Sequence, residues 1–489
     1  MTSPASHKIA THDIVAKLWN LCNILKDGGV TYHEYVIELT YLLFLKMAQE
    51  TGVESKLPKQ YRWNSLVKAS KEKQLDAYKT LLTHIGYSSK SALVKEIFAE
   101  ADTSIRRPAI FSRLLEEMEK LEWYRAHKED IGDLYEGLLE KNANEKKSGA
   151  GQYFTPRPLI DCMVAVMQPS LADVIQDPAA GTGGFIVSAN RFIREHEEPT
   201  AWTKAQQEKY RYGTFYGMEL VHDTHRMALM NLMLHGLEYD PARTGIWYGD
   251  TLGNDAARLP QASLILSNPP FGSKKGGGPP ERKFGFPTNN KQLAFLQHIY
   301  HGLQPGGRAA VVMPDNVLFE ANIGRAVRTE LMDKCNLHTI LRLPTGIFYA
   351  QGVKTNVLFF TRGETDKDNT REVWVYDLRA NMPNFGRKTL LTAETFKDFK
   401  AAFGSDPRGG EADLDSRSDT GESGRFRRFS RQAIAERGDN LDIAWLKDEN
   451  ADGDLPEPEV VAERAILELE AAILELRGFL AELRGEAGK

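Results

Sequence analysis

Only three cysteines occur in the 489 residues, Cys22, Cys162 and Cys335, and they lie far apart. They build neither a disulfide framework nor a metal-ligand spacing, so a reducing compartment and no metal centre are expected. No apolar run reaches the roughly 18 residues that a membrane helix needs, so no membrane-spanning helix is expected. The N-terminal MTSPASHKIATHD has no apolar stretch of the kind a secretory leader carries, so a cytoplasmic location is expected. Excess positive charge is missing too: 62 Lys and Arg stand against 67 Asp and Glu, a net charge of -5. A chain whose whole surface gripped nucleic acid would be basic. Contact with a polyanion, if there is any, has to be local or shared with another subunit. The composition is that of a globular protein, 42% hydrophobic and 26% charged, at a length that predicts two or three domains.

Residues 1–150 read as a helical domain. Ile14, Leu18, Leu21 and Leu25 recur at helical spacing, Gly28-Gly29 punctuates the end, and YHEYVIELTYLLFLKMAQE continues the pattern. A bundle packed on its own core accounts for this segment. From 151 to 402 short apolar runs alternate with helical stretches. DVIQ, TFYGMEL, GIWYGDTL, SLILSNPPF and RAAVVMPDNVLF read as strands, followed by HTILRLP, NVLFFTRG and EVWVYDL with few helical residues between them. Such alternation predicts an α/β fold, a mostly parallel sheet with helices on both faces, and the late strands suggest an antiparallel edge. Residues 403–460, beginning GSDPRGGEADLDSRSDTGESG after Phe403, read as a linker or irregular region. In 461–489, Ile466, Leu469, Ile473, Leu476, Leu480 and Leu483 alternate spacings of three and four. That is a heptad seam over about three heptads, either a helix docked on its own protein or one that binds a partner.

QDPAAGTGGF, Gln176 to Phe185, follows a strand and opens a helix. Gly181, Gly183 and Gly184 remove side chains where the backbone turns and where a ligand could approach it. The spacing is not G-x-G-x-x-G, and without G-K-[ST] it is no phosphate-clamping loop. Glu219 ends the next strand, where an acid can accept both hydroxyls of a ribose or simply serve a helix N-terminus. Asp250 ends the third, able to accept from an adenine amine or to form a turn. Asn268, in SNPPFG, ends the fourth. Four consecutive strand ends therefore carry polar groups on the edge where open α/β sheets bind ligands.

These motifs resemble the S-adenosylmethionine-dependent amino-methyltransferases. D-P-A-A-G-T-G-G-F, then E, D and N-P-P-F at successive strand ends, follow the upstream GAGQYFTPRPLI, Gly149 to Ile160, in the order of the gamma-class DNA methyltransferases. The whole chain, including LWNLCNILKDGGVTYHEYVIELTYLLFLKMAQE and SGAGQYFTPRPL, is similar to the modification subunits of type I restriction-modification systems. The resemblance implies a Rossmann-like methyltransferase sheet flanked by an N-terminal helical domain and a C-terminal helical tail. It implies S-adenosyl-L-methionine as cofactor. The segment Gln152, Tyr153, Phe154, Thr155, Pro156 and Arg157 would line it, and Asp177, Pro178, Ala179, Gly181, Thr182 and Gly183 would hold it at the turn. Glu219 would take its ribose and Asp250 its adenine. On their own chemistry, Tyr153 and Phe154 are simply core aromatics, and Pro156 stiffens the entry to a helix.

The catalytic expectation falls on Asn268, Pro269, Pro270 and Phe271. The exocyclic amine of adenine is a poor nucleophile, because its lone pair is delocalised into the ring. The Asn268 side-chain oxygen and the Pro269 carbonyl can accept its two N–H bonds, while two prolines hold that carbonyl rigid. Phe271 can stack on a base extruded from the duplex. The following FGSKKGGGPPERKFGFPTNN is locally basic, a solvated loop or a contact for phosphates. The partners implied are double-stranded DNA, a DNA specificity subunit and a second copy of the chain, with a restriction subunit as an optional addition and no membrane. Cytosine N4 methylation, protein-glutamine methylation and a scaffold that no longer transfers methyl groups stay open on the sequence alone.

Overall fold

The computed structural model describes Leu21, Ile24, residues 32–120 and residues 154–447, apart from 238, 273–281, 349–352, 384, 387–388 and 410–416. Gln152, Tyr153, Lys274 and Lys275 of the loop after Phe271, and the heptad tail lie outside the described residues.

The N-terminal part is helical, built on Tyr32–Thr51, Gln74–Ser88 and Pro108–Glu119 with the shorter Trp63–Val67 and Ala92–Ile97. Tyr41 to Leu45, Met47 and Ala48 are all buried, so the helix Tyr32–Thr51 is enclosed all round over these residues. Pro108 sits in the first helical turn of its helix, where its missing N–H has no acceptor to lose. Ser91 caps its helix by accepting the Val94 N–H. The sequence suggests a bundle with its own core; the structure gives it a shared one. Its buried residues form one cluster with those of the sheet domain. The helix His222–Leu234 lies between the two parts and is buried on most of its surface. From it, the Arg226 guanidinium donates to the Ala99 carbonyl at 2.7 Å and lies 5.6 Å from the Tyr41 ring.

Among the described residues nine strands form one sheet: β1 Ile175–Asp177, β2 Phe215–Glu219, β3 Gly245–Tyr248, β4 Ala262–Ser267, β5 Leu303–Pro314, β6 Cys335–Arg342, β7 Thr355–Arg362, β8 Glu372–Asp377 and β9 Phe426–Ser430. Their order is β3-β2-β1-β4-β5-β7-β6-β8-β9. The five N-terminal strands are parallel to one another. The α/β class agrees with the sequence and the sheet ends in an antiparallel edge strand, β9 on β8, but a second antiparallel strand, β7, lies inside it. The crossover through the helix Ile323–Lys334 places β6 one strand beyond β5. β7 returns into that slot and pairs antiparallel to both neighbours. Its Val357 to Phe360 are buried on both faces, as the unbroken run NVLFF requires.

The stretch 403–460 also differs from the linker expected of it. Residues 426–430 add β9 antiparallel to β8, and Ile434, Leu441 and Ile443 are buried. The Gly/Ser/Asp-rich composition that suggested a linker belongs to the approach to β9 rather than to the strand itself. At the N-terminal ends of the central strands, Arg308 of β5 makes paired bonds to Asp173 at 2.9 and 3.0 Å. Burial raises the Asp173 carboxyl, but the Arg308 bonds and charge outweigh it and hold the carboxyl below its ordinary value. No helix among the described residues is long and apolar enough to cross a membrane.

Candidate active site

β1 is the pivot of the sheet: β2 pairs on one side and β4 on the other. The chain winds outward from β1 to β3, then returns to β4, so the strand order reverses between β1 and β4. At such a switch point the following loops diverge and leave a crevice above the strand ends. Asp177 ends β1 and Ser267 ends β4, and both are buried. The Ser267 hydroxyl donates to Asp177 Oδ1 at 2.7 Å, and the Ala179 N–H donates to the same oxygen at 3.1 Å. Burial pushes the Asp177 carboxyl up to about 7 against the pull of these two donors, and the negative charge of Glu219 adds to the rise.

The turn after β1 is held by its neighbours. The Ala180 N–H donates to the Met218 carbonyl, and the Pro178 carbonyl accepts from the Thr251 hydroxyl. The Asn231 side chain donates to the Thr182 carbonyl at 3.0 Å. Gly181 and Gly183 have φ of 54° and 83°, left-handed values that favour glycine. A Cβ added at Gly181 would meet nothing within 4 Å, so this corner borders open space. Glu219 closes the turn from β2. One carboxylate oxygen accepts the Gly181 N–H at 2.9 Å, and the other accepts the Val221 N–H at 2.8 Å. Glu219 therefore supports the start of the helix His222–Leu234, one of the two readings of this acid, while its other oxygen holds the glycine turn. Burial raises its carboxyl despite its backbone donors. Asp250 is half-buried and accepts the Leu252 N–H at 2.9 Å, the geometry of a turn former.

The fourth strand end carries Asn268. Its amide nitrogen donates to the Thr155 hydroxyl oxygen at 2.9 Å. Pro269 is buried, Pro270 is half-buried, and Phe271 is partly buried against the main core. The next residue, Gly272, donates its N–H to the buried Gln292 side chain at 2.9 Å, and its carbonyl accepts from Lys291. The helix Lys291–Gly302 thereby fixes the exit of the turn. Upstream, Pro156 precedes the helix Arg157–Met167 at its N-cap, and Phe154 packs partly buried against the core. Arg157 bonds to Asp161 at 3.0 Å, an acid that also accepts from Ser188 and Arg191.

Direct bonds thus link Thr155 to Asn268, its neighbour Ser267 to Asp177, and Gly181 to Glu219. Asp250 joins them through its two neighbours: the Thr251 hydroxyl donates to the Pro178 carbonyl and the Gly249 N–H to the Glu219 carbonyl. Sequence reasoning missed Ser267, Gln292, Asn231 and Thr251, which hold the site, and Leu220, which stands 58% exposed beside Glu219. Asn231 left the clearest signal, one amide inside the apolar run ALMNLML.

Residues 126–448 match the family model of the N-6 DNA methylases. The chain is 49% identical to the EcoKI methylase subunit, a type I restriction enzyme subunit of Escherichia coli, over 94% of this chain and 93% of that one. The chain belongs to the type I methylase subunits of the N-6 DNA methylase family. The StySPI methylase subunit of Salmonella potsdam is 48% identical to this methylase with the same coverage. The crystal structure of the EcoKI M protein aligns over 96% of both chains at 43% identity, with a TM-score of 0.57. A structure described as the basis of complex assembly and conformational transition in the type I restriction-modification system aligns with a TM-score of 0.71 at 26% identity, over 98% of this chain and 99% of that one. Family membership makes this methylase an adenine-specific DNA methyltransferase and sets aside the cytosine and protein-glutamine readings.

Proposed function

We propose that this methylase uses S-adenosylmethionine as methyl donor and an adenine extruded from double-stranded DNA as acceptor, as the modification subunit of a complex with a specificity subunit. The observation that carries the reading is the chain of contacts at the switch point. Asn268-Pro269 and the glycine turn open on one crevice, joined through Ser267 and Asp177. The residues fit the donor. The turn borders open space at Gly181. Buried carboxyls at Asp177 and Glu219 suit a ligand that carries positive charge on sulfonium and ammonium groups. Leu220 and Tyr248, 58% and 49% exposed, offer apolar surface to a purine beside Glu219 and Asp250.

Bound there, S-adenosylmethionine supplies an electrophilic methyl group. Asp177 to Ala179 and Gly181 to Gly183 form the wall, Glu219 accepts ribose hydroxyls, and Asp250 takes the adenine amine of the cofactor. Gln152 to Phe154 and Pro156 line the methionine end, while Arg157 stays with Asp161 and Thr155 with Asn268. On the substrate side, the Asn268 oxygen and the Pro269 carbonyl accept the two N–H bonds of the target amine, and the nitrogen lone pair turns out of the ring plane. Phe271 stacks on the base.

Replacing Glu219 with alanine is expected to weaken cofactor binding by about 1.5–3 kcal/mol, the range for a hydrogen bond to a charged group. Titration calorimetry checks it; an unchanged affinity removes Glu219 from the ribose site.

The relatives are subunits by name, which supports a multi-subunit machine with two modification subunits, one specificity subunit and an optional restriction subunit. The heptad seam of 461–489 is our candidate for docking on the specificity subunit. The test is transfer of labelled methyl groups to genomic DNA from a strain that lacks the system, with the chain alone and with the specificity subunit co-expressed. Label in N6-methyladenine only in the presence of the second subunit supports the proposal. Label with the chain alone shows that it selects its own sites. No label in either arm points to a scaffold.

A further inference from the structure

We infer that Thr155 is a positioning residue of the methyl-transfer step, one that sets which end of the Asn268 amide faces the substrate. This rests on the catalytic reading of Asn268. An asparagine amide has nearly the same shape in its two flipped states, but one end donates and the other accepts. The target amine offers N–H bonds, so the oxygen must face it; the flipped amide would set N–H against N–H. In the structure Asn268 Nδ2 donates to Thr155 Oγ1 at 2.9 Å. The nitrogen is held at Thr155, and the oxygen lies at the opposite end of the amide. A hydroxyl can also donate to a flipped amide, but that state leaves the target amine without an acceptor. With the base in place, only the observed state satisfies both ends.

Thr155 is well placed for this. It is buried, and Pro156 follows it and biases it toward an extended backbone. Pro156 and the helix Arg157–Met167 then fix the direction of the chain. The bond ties two segments 113 residues apart. Family resemblance places Thr155 against the cofactor; its side-chain oxygen is instead engaged with the amide expected to act on the target base.

The test uses the methylase assembled with its specificity subunit on DNA that carries the recognised site, comparing Thr155→Val, Thr155→Ser and Asn268→Ala. Valine keeps the shape and removes the acceptor, leaving the amide nitrogen facing a methyl group in the productive state. Thr155→Val is expected to lower kcat roughly ten- to a hundredfold, the effect of one buried donor losing its partner. Cofactor affinity by calorimetry is expected to stay within about threefold, since on this reading the hydroxyl bonds to the amide and not to the donor. Serine is expected to restore most of kcat. Combining Thr155→Val with Asn268→Ala is expected to add little to Asn268→Ala alone, as for two groups that act through one contact. Wild-type kcat in Thr155→Val overturns the inference. A loss confined to cofactor affinity overturns it too and returns Thr155 to the cofactor site. If Asn268→Ala itself transfers methyl groups normally, the catalytic reading falls, and the inference with it.

Discussion

Asn268→Ala is expected to abolish measurable methyl transfer, a loss of at least about a hundredfold, while cofactor affinity stays within a few-fold. The magnitude follows from what the amide does. On the proposed reading it is a fixed acceptor aimed at a nitrogen that gains positive character as it reacts. Removing one preorganised polar group of this kind costs about 10²–10³ in rate. The selectivity follows from the contacts. The bond from Asn268 to the Thr155 hydroxyl leaves the glycine turn and Glu219 untouched, and those are the groups proposed to hold the cofactor. Alanine also keeps the chain between buried Ser267 and buried Pro269, so the strand end is preserved. Single-turnover transfer with labelled donor, run beside calorimetry on the same preparation, separates the two effects. Unchanged turnover sinks the assignment. An equal loss of turnover and cofactor affinity moves Asn268 into the cofactor site.

The central strands were legible because parallel strands buried on both faces spell continuous apolar runs, as in SLILS and RAAVVM. Their order was not, because periodicity carries no information about neighbours. The place of β7 depends on how far the crossover through the helix Ile323–Lys334 carries the chain, which is a property of packing. β9 was illegible for another reason. FRRFS puts three charged or polar side chains among two phenylalanines, and only its edge position makes that tolerable. There Arg428 reaches Glu372 and Arg427 lies over the Phe429 ring, on a sheet edge where charge also discourages unwanted pairing. The shared core between the helical part and the sheet domain was hidden because a helix buried by its own bundle and one buried by a neighbouring domain show the same pattern.

At the site, Asp177, Glu219 and Asn268 stood out because polar residues that end apolar runs are exceptions to a pattern. The groups that hold them did not. Ser267 is an ordinary residue at the end of a strand until its hydroxyl is seen to face Asp177, 90 residues away in the chain. Gln292 opens the helix Lys291–Gly302, and nothing in its local sequence says that it reaches back to Gly272. Thr155 was legible as part of a motif, but its partner was not. The sequence singles out the polar groups at the strand ends; their orientation depends on pairs that only the fold brings together.

Asp177→Asn is expected to make the unliganded methylase more stable at pH 8 and a poorer binder of its cofactor, and the two changes have one cause. The Asp177 carboxyl rises from 3.8 to about 7 chiefly because burial disfavours its charge. The folded chain therefore holds a proton that the unfolded chain releases at lower pH. The contribution of this group to stability is complete below pH 4 and is lost as the pH rises toward 7, about 4 kcal/mol in all. Asparagine carries no such charge, so it is expected to raise the melting temperature more at pH 8 than at pH 5, where only about a third of that cost is present. Cofactor binding runs in the opposite sense. A ligand with cationic groups beside Asp177 favours the carboxylate, so wild-type affinity is expected to strengthen with pH up to about 7, by at most about tenfold per unit, and to level off above it. In Asp177→Asn that slope is expected to vanish, with affinity at pH 8 at least about tenfold below wild type. Melting curves at the two pH values and calorimetry in buffers of different ionisation enthalpy measure both arms. A flat wild-type profile with no proton release on binding shows that the Asp177 carboxyl is not the group that meets the cofactor's charge. A variant no more stable than wild type at pH 8 shows that the crevice does not bury that charge in the unliganded state. On the proposed reading the two effects are one: an acid that costs the fold stability at neutral pH stands at the switch point to meet the cofactor's positive charge.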